Sequence, residues 1–439
     1  MYRYIIEDTR HVPPFNEPAS LLTIGTKPLK LLHEDLFMNL FRQNLELGAT
    51  LSSRDDIRSV NQQAIVYRDN LWFDSEFLEY FMRVARTLKR ACRAAIPADD
   101  PAYRTYTLPL SSGFERGIDT NGNPIYLLDL WYFPNGYTDD IVSVVVPSDA
   151  KEKGFYSVPD FMSMEQGDLT HYLPMRAVLS IESWVHVYFA NTIFGVFARG
   201  SRFEEHVKTH NFFTLKLLWK GVLEQKQVLS TSEVVRVGKN TVIHPSAEIS
   251  GPTTIGDNCF IGPGVVIDNC TIGDHVTIDQ GCQLMLSTIG NNCFLPFRAA
   301  LYLTAVMEST IIAQNACLQM CVIGRNSFVG AGNTFTDFNL VAQKPIRAAN
   351  INGDLESIGQ IVLGGAVGHN CRVGSGMVIF PGRMIESDVV LVASPQRRVI
   401  SRNVTFEESD HHFVRGGDVH KRFYPRPDER HEEGGWNKW

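Results

Sequence analysis

The chain has 439 residues, of which 44% are hydrophobic and 20% charged, and its formal net charge is −7. That length exceeds what one hydrophobic core usually serves, so two or three domains are expected. The charge forms no long block of one sign, which argues against nucleic acid as a partner. No stretch offers eighteen or so uncharged apolar residues, so neither a signal peptide nor contact with a membrane is expected, and the cytoplasm is the expected compartment. Eight cysteines are present, seven of them between Cys259 and Cys371 and none in a C-x-x-C pair, which favours buried thiols in a reducing compartment over disulfides.

In chain order, Tyr4-Ile5-Ile6 reads as a strand, and Gly25-Thr26-Lys27-Pro28-Leu29 opens a helix running through Leu40. Ala64 to Asp74, A-I-V-Y-R-D-N-L-W-F-D, contains a second strand. A helix is expected from about Ser75 to Ala95, burying Phe77, Phe81, Val84, Leu88 and Cys92 at helical spacing, with Arg83, Arg86, Lys89, Arg90 and Arg93 on its solvated faces. Thr105 to Tyr137 alternates aromatics and turns as strands do, with Asp119 to Pro124 as a hairpin loop. These elements define an α/β domain over residues 1–235.

From Val237 the pattern changes. An aliphatic residue recurs every six residues with a regular slip to five, as in Ile249, Ile255, Ile261, Ile267, Ile272 and Ile278, and later members of the series repeat every seventeen residues. Three short strands per seventeen or eighteen residues is one coil of a three-sided parallel β-helix, and six is not a helical period. Glycines follow the aliphatic positions at the corners, as in Ile255-Gly256 and Ile272-Gly273. Cys259, Cys282, Cys293 and Cys371 each stand four positions after an aliphatic residue, a slot for a small inward side chain. A second run, Ile361, Val367, Val373, Ile379, Ile385 and Leu391, carries the repeat to about residue 400. A break at Val341 to Gln360 separates the two runs. Its Lys344 and Arg347 either meet phosphate groups or are solvated loop charges. Beyond Val399 the chain is charged and repeat-free, a tail over 401–439 in which His411 and His412 are too weakly placed for a metal site.

This repeat resembles the hexapeptide-repeat, left-handed β-helix family, whose members are mostly acyltransferases using acetyl-CoA or a related thioester. The resemblance supplies the handedness and implies a homotrimer with active sites between adjacent helices. Over Ile243 to Val390, the elements V-G-A-G-N-T-F-T-D-F-N-L, G-x-x-V-G-H-N-C-R-V-G-S-G and I-F-P-G-R-M-I are similar in order to the C-terminal domain of bifunctional N-acetylglucosamine-1-phosphate uridyltransferases and to sugar-1-phosphate nucleotidylyltransferases. Where that family has its catalytic histidine, this chain has Phe297 beside Arg298, and the family's Asn-Tyr pair falls on Asp337 and Phe338. His369 is then the best candidate for a general base, the other reading being a polar corner residue. The three histidines of the repeat, His244, His275 and His369, are too far apart for the zinc site of a γ-class carbonic anhydrase.

The same resemblance extends to the amino terminus, where Pro18-Ala19-Ser20-Leu21 and Gly25-Thr26-Lys27-Pro28-Leu29 are similar to the P-K-x-L and G-K-P-L elements of those nucleotidylyltransferases. Ala19 stands at the signature lysine, and Glu7 to Glu17 contains no glycine for a phosphate loop, leaving Arg10 as the nearby cation. Asp69 in Tyr67-Arg68-Asp69-Asn70 matches the aspartate that holds Mg²⁺ in the family.

The expected architecture is therefore a nucleotidyltransferase-like α/β domain followed by a left-handed parallel β-helix (236–400) and the tail. The expected function is acyl transfer from acetyl-CoA in sugar-nucleotide or cell-envelope metabolism, with His369 catalytic and Asp337, Lys344, Arg347, Arg372 and Arg383 contacting substrate or CoA. Mg²⁺ at Asp69 is expected only if the amino-terminal domain is active. The substrate is a small molecule, a sugar phosphate or nucleotide sugar. The alternatives are a catalytically silent nucleotide-sugar-binding or scaffold protein, and an active nucleotidylyltransferase with a rebuilt phosphate loop.

Overall fold

The computed structural model describes residues 1–41, 45–156, 169–339, 344–413 and 420–428. Two compact units emerge. One comprises Met1–Arg10, Pro18–Leu22 and Pro28–Glu182; the other comprises His11–Glu17, Thr23–Lys27 and Ser183–Trp439. The division therefore falls at Glu182, well ahead of residue 235.

The first unit is built on a mixed sheet of β1 (Tyr2–Ile6), β2 (Glu46–Leu51), β3 (Ala64–Arg68), β5 (Ala91–Pro97), β6 (Glu115–Ile118), β7 (Pro124–Phe133) and β8 (Ile141–Val145), while β4 (Leu71–Phe73) pairs outside it with β9 (Val178–Ser180). The strand order is β8-β5-β7-β3-β1-β2, with β6 on the edge of β7. Strands β1, β2 and β3 run parallel, β7 is antiparallel to both β3 and β5, and β8 is parallel to β5. Alternation along β3 fixes the two faces. Ile65 and Tyr67 join a core with Phe37 and Phe41 of α1 (Leu29–Phe41) and Phe77 and Phe81 of α2 (Ser75–Leu88), whereas Ala64 and Val66 face Trp131 and Phe133.

Helix α2 begins at an Asp74 cap, whose side chain accepts from Phe77 N–H, and stops at Lys89, which adopts a left-handed φ of 54°. It is shorter than the sequence pattern suggests. Residues 91–97 form β5, so Cys92 is buried in a strand, where its apolar character serves equally well. Likewise Tyr103–Thr107 coil into a helical turn before the β6–β7 hairpin forms.

The second unit contains the left-handed parallel β-helix. Three sheets of eight short parallel strands share one axis. Ile255, Ile272, Ile289, Val306, Ile323, Val367 and Ile385 stack inward from the first face, and equivalent columns rise from the other two. Each such side chain removed from water contributes about 1.5–3 kcal/mol, and the column stabilises the stack of coils along its length. Ile361 lies ahead of the resumed strands, and the break before it holds a two-stranded hairpin, Arg347–Ala349 with Leu355–Ser357. Residues 341–343 of that break lie outside the described residues, as do 414–419 and 429–439 of the tail.

Each face of the helix meets a different environment. The first is covered by α3 (Trp184–Asn191) and α4 (Ala198–Thr209): Arg199 donates to Thr271 Oγ1 at 2.8 Å and to Cys270 O at 3.0 Å, and Thr288 Oγ1 donates to Asn191 O at 3.2 Å. The second carries a partly exposed apolar ladder, Phe260, Phe294, Ile311 and Phe328. Met285, Tyr302 and Gln319 follow one another along the third.

Candidate functional sites

One corner of the β-helix explains His369. At this corner backbone N–H groups of several coils find their acceptor in the side chain one coil further on. Asp257 Oδ1 accepts from Lys239 N–H at 2.6 Å, Asp274 Oδ1 from Asp257 N–H at 2.7 Å, and Asn291 Oδ1 from Asp274 N–H at 2.8 Å. His369 Nδ1 accepts from Arg325 N–H at 2.9 Å in the same way, and Ser387 Oγ accepts from His369 N–H at 2.8 Å. The following residues, including Asn258, His275, Asn292, Asn326 and Asn370, all hold positive φ near 55°, a conformation that asparagine tolerates well. His275 is thus a turn residue.

Around His369 a buried polar cluster forms. Nδ1 is an acceptor, so Nε2 carries the proton and points at Glu17 Oε1, 3.2 Å away. Glu17 also accepts from Arg325 Nη1 at 2.8 Å, and Arg325 pairs with Glu308 at 2.7 Å, whose other oxygen accepts from Thr23 at 2.7 Å. Phe15 and Tyr424 pack on the imidazole, with ring centroids 5.0 and 4.7 Å away. Burial pushes the His369 pKa down, while the hydrogen bond from His369, with Arg325 beside it, holds Glu17 below its ordinary range against the upward push of burial. In this arrangement His369 presents no vacant lone pair to a substrate.

The tail is tied to the same end of the helix. Asp388 accepts from Asn370 Nδ2 at 2.8 Å and from the N–H groups of Phe423 and Tyr424 at 3.0 and 2.6 Å. Arg426 pairs with Glu386 at 2.5 Å and with Glu407 at 3.0 Å.

The other predicted contact residues fall into separate places. Arg347 lies on the inserted hairpin, where its guanidinium donates to Leu355 O, and Arg383 Nη2 donates to Arg347 O at 2.9 Å. Arg372 Nη1 donates to Asn326 O at 2.6 Å, and Lys344 is exposed. Asp337 is half-buried beside Gln319, whose amide nitrogen, in the orientation its surroundings favour, sits 2.9 Å from Oδ2, and burial raises the Asp337 pKa. The hairpin thus brings Arg347 and Arg383 together, and His369 draws its partners from elsewhere.

In the first unit the chemistry gathers where β1 and β3 end. Asp69 Oδ1 accepts from Asp8 N–H at 2.8 Å. Arg10 grips Asp8 through Nη2 at 2.6 Å and reaches Glu182 at 3.4 Å. Glu182 is fully buried and accepts from the N–H groups of Ser112 and Gly113, both at 2.9 Å, from Ser180 Oγ at 2.6 Å, and from Ser112 Oγ. Against the upward push of burial, those hydroxyls and Arg10 hold Glu182 below its ordinary range, and Arg10 does the same for Asp8. Burial, in contrast, raises Asp69 to about 6. One Asp69 oxygen is committed to the backbone N–H of Asp8, whose own carboxylate is held by Arg10. Among the described residues no group of three His, Cys, Asp or Glu is placed to hold a metal ion. Arg10 thus serves carboxylates of its own chain.

Glu17, Arg325, Glu308 and Glu182 were not anticipated as site residues. A signal existed for Arg325, which follows Ile323-Gly324 as His369 follows Val367-Gly368. Glu17 lies 352 positions from His369, and nothing local marks it. Among the described residues, no helix is long and apolar enough to cross a membrane.

Comparison with known proteins agrees with the repeat. The family model for bacterial transferase hexapeptide (six repeats) matches residues 235–269 and 254–285. No curated protein matches the sequence. Among solved structures, a Bacillus cereus protein described as a "putative acetyltransferase" aligns at 16% identity, covering 33% of this chain and 76% of that one, with a TM-score of 0.16. The family match spans the first three coils of a helix whose repeat continues through five more.

Proposed function

We propose that this protein is an acyltransferase that moves an acyl group from an acyl-CoA thioester, acetyl-CoA in the simplest case, to an amine or hydroxyl of a sugar phosphate or nucleotide sugar. The observation that carries this reading is the hexapeptide match within an eight-coil β-helix. The reacting cleft lies between helices of a homotrimer in the cytoplasm, and the apolar ladder Phe260, Phe294, Ile311 and Phe328 supports helix-to-helix packing. The acceptor attacks the thioester carbonyl, a base takes its proton, and the C–S bond breaks to release CoA thiol. His369 acts as that base only after Nδ1, the ring nitrogen with the lone pair, gives up Arg325 N–H. Lys344, Arg347, Arg372 and Arg383 supply the cations for phosphate groups of donor or acceptor.

A specific observation favours a second reading, a binding or scaffold protein without turnover. The strongest polar clusters, Glu17–His369–Arg325 and Asp8–Arg10–Glu182, both satisfy themselves internally. Thermal denaturation of the full chain with millimolar CoA, acetyl-CoA or a UDP-sugar separates the two. Acyl transfer predicts a rise in Tm with CoA and thiol release from acetyl-CoA with a sugar-phosphate acceptor. Stabilisation by a UDP-sugar alone, with no CoA response, would establish the binding protein instead.

A further inference from the structure

Helix α5 (Asn211–Glu224) is apolar where it meets solvent. Leu217 and Gly221 are buried against its own unit, yet on the opposite side Phe212, Leu215, Leu218, Trp219, Val222 and Leu223 are between 51% and 84% exposed. Single exposed apolar residues are ordinary, but six on one helical face are not. Its two aromatics present roughly 150–250 Å² each before shielding, and the stripe as a whole leaves on the order of 700 Å² of apolar surface uncovered. That is close to the about 800 Å² that each partner contributes to a stable protein interface.

From this surface we infer that α5 is a self-association site, pairing with α5 of a second copy of this chain about a two-fold axis. Three observations select that occupant. Phe212, Leu215, Trp219 and Val222 follow one another at intervals of three, four and three residues, the spacing at which one helix packs along another. The flanking lysines are already neutralised within the unit: Lys216 Nζ donates to Glu233 at 2.8 Å, and Lys220 Nζ donates to Glu224 at 3.2 Å and to Ser232 at 2.9 Å. A helix that lies on an anionic membrane keeps such cations for lipid headgroups. Lastly, every copy carries the stripe, and a two-fold contact covers both stripes with each other, which makes the surface self-complementary.

The contact is independent of any trimer formed by the β-helices, because it uses a different surface. Sedimentation equilibrium on the full chain tests it. The wild-type mass is expected to be an even multiple of 49.3 kDa, and Trp219→Glu or Leu215→Glu to halve it while leaving the thermal melt unchanged. As a check that does not depend on tolerating a charge, Leu215→Cys should give a disulfide-linked pair on mild oxidation that the wild type does not give. An odd-numbered assembly, a mass unmoved by both charged variants, or no linked pair from folded Leu215→Cys overturns the inference. So does flotation of the wild type with phosphatidylcholine–phosphatidylserine vesicles that Trp219→Glu abolishes without changing the mass, since the occupant would then be a membrane surface.

Discussion

The corner of the β-helix and the end of the α/β sheet solve one problem, the satisfaction of buried polar groups, in opposite ways. At the corner, an N–H in several coils meets a side chain one coil away, so Asp257, Asp274, Asn291 and His369 perform one repeated task. A neighbour with the same geometry stands above and below, and a residue there can be exchanged for another acceptor. At the sheet end, Glu182 is unique. Four donors besides Arg10 converge on it from Ser112, Gly113 and Ser180, and no repeat offers a substitute. A chemically conspicuous residue is therefore uninformative about catalysis in the first setting and costly to remove in the second.

The sharpest way to break this comparison is Glu182→Ala. It leaves the Ser112 and Gly113 N–H groups and the buried Ser180 hydroxyl without their acceptor and Arg10 with Asp8 alone, and should destabilise the chain by about 3–5 kcal/mol in urea unfolding followed by circular dichroism. A loss below about 1 kcal/mol would mean that the cluster is as replaceable as the corner. Asp69→Asn comes next and acts in the other direction. Its carboxyl is raised from an ordinary 3.8 to about 6, so the native state holds the proton more tightly than the unfolded chain. The associated stability is complete below pH 3.8 and is lost as pH climbs through about 6, a difference of at most about 3 kcal/mol. Asparagine keeps the acceptor for Asp8 N–H and carries no charge. The variant's advantage over wild type should then grow between pH 4 and 7, and an advantage constant with pH would contradict the burial argument.

The β-helix was legible in the sequence because its cause is periodic. One inward aliphatic residue per strand appears as a spacing, and the inward slots of Cys259, Cys282, Cys293 and Cys371 follow from counting. Helix α1 and strand β3 were legible for the same local reason. The end of α2 was not, since burial at Cys92 is shared by helix and strand, and the stop depends on Lys89 turning left-handed. The candidate sites were least legible. Glu17 reaches His369 and Glu182 reaches Arg10 through pairings of residues far apart in the chain, which no local pattern encodes. The resemblance to nucleotidylyltransferases drew attention to Asp69 and Arg10 one by one, and the contact of each with Asp8 is visible only in the fold.

Two smaller effects sharpen the corner itself. His369→Ala removes the acceptor of Arg325 N–H and a ring packed between Phe15 and Tyr424, for which about 2–3 kcal/mol is expected. His369→Asn recreates the arrangement at Asn291 and should recover at least half of that loss. If thiol release from acetyl-CoA survives in the Asn variant, the residue is a corner acceptor; if it vanishes there while stability is kept, His369 is the base. Smallest of all is Cys293→Ser. The inward column beside the corner passes from Cys259 to Cys293, Thr310, Ser327 and Cys371, and each donates to a carbonyl of the next coil, Cys293 Sγ to Met307 O at 3.2 Å and Ser327 Oγ to Gly368 O at 2.9 Å. Serine keeps that donor, so the change should stay within about 1 kcal/mol. Cys293→Asn, too large for the slot, should cost more by about 1–3 kcal/mol. Equal losses for both would show that the thiol is held for its chemistry and not for its size and its single hydrogen bond.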